Sequence, residues 1–152
     1  MPPDPVDLMA RGIGLELRAF VRDAGRRRTL PFTAYVGVPG SVRTPMPDDL
    51  PDDPVLRADL VERAVDGLTG HDLDRAAACG WVTRSGPVRL DTRELAWYVA
   101  TATGFDRHGL DLPAFFVVGR RAWLEVRSGR ARTWTRVRAP DVDPDVDPGV
   151  EP

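Results

Sequence analysis

The stretch PAFFVVGRRAWLEVRSGRARTWTRV, residues 113–137, limits the fold more than any other part of the chain. Its apolar residues alternate with polar ones at the two-residue period of strands, and two turn signals, Gly119-Arg120 and Ser128-Gly129, interrupt it. Three short strands joined by tight turns form an antiparallel meander. With Ser128-Gly129 at the centre of one turn, Trp123 faces Trp134 and Glu125 faces Arg132. With Gly119-Arg120 at the other, Phe116 faces Trp123. Alternation then puts Phe115, Val117, Ala122, Leu124, Val126, Ala131, Thr133, Thr135 and Val137 on a core face. The opposite face carries an aromatic row, Phe116, Trp123 and Trp134, bordered by Arg121, Arg127, Arg130, Arg132, Arg136 and Arg138.

The rest of the chain supplies helices for that sheet. Residues 6–24 place Met9, Ile13, Leu17, Phe20 and Ala24 on one helical stripe, although Gly12 and Gly14 weaken it. In TLPFTAYVGV the residues Leu30, Phe32, Ala34, Val36 and Val38 alternate as a strand, and the proline-rich residues 39–54 read as an exposed loop. Asp53-Pro54 caps a helix over VLRADLVERAVDGL, and Thr69 with Asp72 caps a short helix running to about Cys79. Residues 81–90 read as two short strands about a Ser-Gly-Pro turn. Asp91 and Glu94 stand in capping-box register for a helix that Gly104 terminates. The expected fold is therefore α+β: an antiparallel sheet containing the C-terminal three-stranded meander, with about four helices packed mainly on one face.

Residues 1–138 read as one globular domain. Residues 139–152, with Asp-Val-Asp-Pro recurring, read as a disordered acidic tail, because proline at that density blocks helix and sheet ladder alike. The body sets 21 arginines against 18 acids, a balance of +3, and the tail carries −5. No apolar run is long enough for a membrane span, and no secretory signal is visible, so a cytoplasmic protein with no membrane partner is expected. The lone Cys79 has no internal disulfide partner.

Absent residue types close several chemistries. The chain has no Lys, Asn or Gln, so Schiff-base and phosphate-loop lysines are excluded, as is an amide side chain for an oxyanion hole. The serines, Ser41, Ser85 and Ser128, all sit beside glycine in turns, outside any nucleophile elbow. No cofactor is expected, and catalysis is less expected than binding.

Residues 114–138 hold seven arginines against one glutamate, a local charge of +6. Three readings of the aromatic row follow. It is a stacking platform for an anionic ligand, with single-stranded nucleic acid the usual occupant of such a surface, or it docks a protein. It is the solvated face of a sheet. Or the first helix covers it and it is core. The functional reading is a non-catalytic binding or regulatory module, its contact residues Phe116, Arg121, Trp123, Arg127, Arg132, Trp134 and Arg136. The acidic tail would then lie across the basic face and compete with an anionic partner.

Two alternatives come from other segments. LDRAAACGWVTRSGPVRLDTRE, residues 73–94, resembles the closing part of a winged-helix DNA-binding domain, where a helix leads into a Gly-Trp-Val strand, a hairpin wing and a second strand. That resemblance implies a DNA-binding regulator with exposed Arg84 and Arg89 and a steep salt dependence of binding. Separately, GHDLD at 70–74 and FDRHGLD at 105–111 bring His71, Asp72, Asp74, Asp106, His108 and Asp111 into consideration as a metal site for a hydrolase, should the fold unite them.

Overall fold

A computed structural model describes residues 4–26, 31–68 and 77–135. In chain order the elements are α1 (Pro5–Ala24), β1 (Thr33–Gly37), β2 (Arg43–Pro45), α2 (Pro54–Leu68), β3 (Cys79–Thr83), α3 (Thr92–Arg107), β4 (Phe115–Val118), β5 (Ala122–Glu125) and β6 (Ala131–Thr133). The fold is α+β, and among the described residues it has three helices and one six-stranded mixed sheet ordered β2-β1-β3-β4-β5-β6. All neighbours are antiparallel except β3 and β4, which run parallel and are joined by the α3 crossover that parallel strands require.

The expected antiparallel meander is present as β4-β5-β6, within a sheet that is otherwise mixed. A strand buried on both faces loses its alternation, and the runs AFFVV and CGWV carry that signature of central strands. Phe115 and Val117 join Val36, Val65, Trp97 and Phe105 in a core beneath α2 and α3. Phe116 and Val118 point the other way and join Met9, Ile13 and Leu17 of α1, together with Trp81 and Trp123. Helices thus cover both faces, where one face was expected.

Helix α1 follows its apolar stripe of Met9, Ile13, Leu17 and Ala24, and the Asp4 carboxylate accepts the Val6 N–H at 3.0 Å to cap it. Gly12, which weakens the helix locally, is where the chain at Pro39 presses in: a Cβ there would stand 2.2 Å from the Pro39 carbonyl oxygen. The predicted strand at 29–38 contains β1, with Phe32, Ala34, Val36 and Val38 all facing the α2–α3 core. Within the expected 39–54 loop lies β2, an exposed edge strand that accommodates Pro45. Asp53 caps α2 as expected, accepting the Val55 N–H at 2.9 Å.

Three local expectations need correction. The short helix over 69–79 falls mainly on residues outside the described ones, and Cys79 itself belongs to β3. The second of the two strands expected in 81–90 is absent among the described residues, where β3 ends at Thr83 and a loop leads to α3. Gly104 lies inside α3 instead of ending it. A Cβ at Gly104 would approach Val61 Cγ1 to 2.5 Å and the Glu62 backbone nitrogen to 2.9 Å, so this glycine lets α3 close on α2. Replacing it with valine should lower stability by about 1–3 kcal/mol through overpacking. Gly67→Ala, on α2 with nothing within 4 Å of the added carbon, should raise stability by about 0.5–1 kcal/mol. Urea denaturation of both variants checks the pair.

Candidate functional site

Both meander registers differ from expectation by one step of two residues. Val118 pairs with Trp123 and Phe116 with Glu125, because Arg120 and Arg121 occupy the centre of the first turn, closed by Gly119 N–H donating to the Ala122 carbonyl at 2.9 Å. Trp123 pairs with Arg132, and Trp134 N–H donates to the Arg121 carbonyl at 2.6 Å. A slip of two preserves side-chain parity, so Phe116, Trp123 and Trp134 do share a face.

That face is not open along its length. Phe116 is 0% and Trp123 5% exposed beneath α1, their rings edge to face with centroids 5.3 Å apart. The aromatic row is therefore core over two of its three members, and the open stacking platform is not formed. α1 stops short of the sheet margin, where all three residues of β6 are exposed and Trp134 is half-buried. The Arg132 guanidinium lies over the Trp134 ring, 4.5 Å from its centroid. Arg121 and Arg132 are exposed, and neither makes an ion pair among the described residues. Arg127 donates to the Leu112 carbonyl, Arg130 pairs with Asp7 at 2.5 Å, and Arg136 lies outside the described residues.

Glu125 does not face Arg132. It is 1% exposed, and its carboxylate accepts the N–H groups of Phe115 at 3.0 Å, Arg127 at 2.9 Å and Ser128 at 2.8 Å. It fixes the β5–β6 loop and leaves no counter-charge at the Arg132 margin. Burial pushes its carboxyl up, but the donated N–H groups outweigh that and hold it below the usual range.

The largest hollow, about 1060 Å³, opens at the first turn of α3 and is lined by Phe32, Arg57, Arg84, Arg93, Glu94 and Trp97 among others. Its arginines are engaged internally. Arg84 meets Glu94 at 3.1 Å and Asp91 at 3.3 Å, Arg57 meets Asp52 at 3.0 Å, and Arg93 lies over the Phe32 ring at 4.8 Å. A third feature went unread in the sequence: Glu16, a lone acid within the apolar stripe of α1, is buried, pairs with Arg43 at 2.5 Å and accepts the Gly40 N–H at 2.9 Å.

The alternative sites do not assemble as their segments suggested. Gly80-Trp81-Val82 lies in the sheet interior, paired with β1 on one side and β4 on the other, and no wing hairpin follows it among the described residues. Arg84 is mostly buried in its ion pairs, whereas Arg89 is exposed beside Asp91 at 2.7 Å. His71, Asp72 and Asp74 lie outside the described residues, and His108 Nε2 sits 3.1 Å from the Glu62 carbonyl. Among the described residues, no three His, Cys, Asp or Glu side chains are grouped to hold a metal ion. Cys79 is fully buried, and burial pushes its thiol well above its ordinary range. No described helix is long and apolar enough to cross a membrane. No family model, no curated protein and no solved structure matches the chain.

Because the folded state holds the Glu125 carboxyl below its unfolded value of about 4.3, its stabilisation is complete above that pH and is lost as pH falls through the folded value. Glu125→Gln should cost about 1–3 kcal/mol at pH 7. Its urea midpoint should also fall less steeply than that of the wild type between about pH 5 and pH 2.

Proposed function

We propose that this chain is a non-catalytic binding module that engages an anionic group of its partner, phosphate or carboxylate, at the β6 margin of the sheet. Arg121 and Arg132 are the contact residues, with Trp134 holding the Arg132 guanidinium flat and ready for bidentate contact. The observation that carries this reading is the state of the charges. Arg22, Arg43, Arg57, Arg84, Arg89, Arg107 and Arg130 each meet a carboxylate, whereas Arg121 and Arg132 stand exposed beside each other's strands with none among the described residues. Phe116 and Trp123 contribute by supporting the sheet from below, and they are not contact residues in this reading.

The acidic residues Asp141, Asp143, Asp145, Asp147 and Glu151 follow β6 in the chain. Tethered so close in sequence, they compete with an external anion for the same arginines.

Binding of a fluorescent single-stranded oligonucleotide, used as a generic polyanion, tests both points. Replacing Arg121 and Arg132 with alanine should weaken binding at low salt by about tenfold or more and reduce the salt slope by about 2, one for each lost contact. Arg22→Ala, remote on α1, should change it less than about twofold. Ending the chain at Arg138 should tighten binding. Equal affinity of the double variant and the wild type would refute the assignment.

A further inference from the structure

A separate small cavity of about 120 Å³ lies between the C-terminal half of α1 and the ends of β1 and β3, lined by Glu16, Asp23, Thr33, Tyr35, Arg43 and Thr83 with three apolar neighbours. Its distinguishing feature is an unanswered hydroxyl. Buried polar groups elsewhere in the described core are satisfied: Glu94 by Arg84, Thr101 by the Trp97 carbonyl at 2.6 Å, and Glu125 by three N–H groups. Glu16, on the cavity wall, is satisfied by Arg43 and Gly40. Thr83 is only 4% exposed and lines this cavity, yet its hydroxyl has no hydrogen-bond partner among the described residues. A buried hydroxyl without a partner costs about 1–3 kcal/mol, and a bound polar group removes that cost.

The lining also specifies what kind of molecule fits. Thr33, Tyr35 and Thr83 bring three hydroxyls, each able to donate and to accept. Two carboxylates, Glu16 and Asp23, stand against the single guanidinium of Arg43, and both raise its pKa. The local charge is therefore −1. That disfavours a carboxylate ligand and favours a cation. Asp23 is well exposed and stands at the mouth, while Thr83 lies at the buried end. An apolar cavity of about 150 Å³ holds a benzene ring, so this volume suits a molecule of roughly six non-hydrogen atoms.

We infer that this cavity is a binding site for a small hydroxylated amine, its hydroxyls directed to Thr83, Thr33 and Tyr35 and its ammonium toward Asp23. The site is independent of the β6 margin and uses none of its residues.

Three probes of equal heavy-atom count separate the elements of the claim: 2-amino-1,3-propanediol, glycerol and lactate. Each is titrated into ¹⁵N-labelled full-length protein to about 10 mM at fixed ionic strength, following the amides of Thr33, Tyr35 and Thr83. The amine should produce saturable shifts at these amides, with glycerol weaker and lactate without effect. Thr83→Val, which keeps the shape and removes the hydroxyl, should weaken the amine about tenfold, and Asp23→Asn should bring its affinity down to that of glycerol. The wild-type spectrum retained by each variant establishes that it is folded. No saturable shift with any probe, tighter binding of lactate than of the amine, or an unchanged affinity in Thr83→Val would each overturn the inference.

Discussion

Glu16 places a buried charge on the helix that closes one face of the sheet, and its two oxygens are answered from a single turn. One accepts the Gly40 N–H and the other the Arg43 guanidinium. Removing one member of a buried pair costs about 3–5 kcal/mol, because it strands the other charge. The same turn presses the Pro39 carbonyl against Gly12, where no side chain intervenes. Charge pairing and close approach together fix α1 along the sheet. Without α1, Trp81, Phe116, Val118 and Trp123 would form an exposed apolar surface of the kind that drives association.

Placing α1 there decides which parts of the chain remain able to bind anything. It takes Phe116 and Trp123 out of reach and leaves the β6 margin bare, so the cationic surface is reduced to Arg121, Arg132 and Trp134. Glu125 contributes to the same outcome from within. Its carboxylate is consumed by three backbone donors and so does not neutralise the arginines on its strand partner. At the other end of α1 the closure is imperfect, and the polar cavity around Thr83 is what remains.

Local signals in the sequence were accurate where the physics is local. Asp53-Pro54 and Asp91 with Glu94 mark helix starts through hydrogen bonds to their own first turns, and those starts are observed. Face assignments in the meander survived a wrong register because a two-residue slip keeps every side chain on its side. Non-local facts were harder to read. Alternation says that Trp123 and Phe116 share a face with Trp134, but whether that face meets water or a helix depends on α1, about a hundred residues away in the chain. The runs AFFVV and CGWV held the clue, since strands open to water on one side do not read apolar throughout. The three-residue β2 gave no such clue, being exposed throughout and ending in proline. Gly104 reads as a helix terminator in one dimension and is a helix–helix contact in three.

Labelling the protein with 5-fluorotryptophan and adding a soluble paramagnetic chelate tests the closure by α1 most directly, with resonances assigned by single Trp→Phe changes. The structure predicts that the Trp81 and Trp123 signals stay sharp while Trp134, at the open margin, broadens. A Trp123 resonance that broadens as strongly as Trp134 would contradict it, because α1 would then not cover the face on which this account depends.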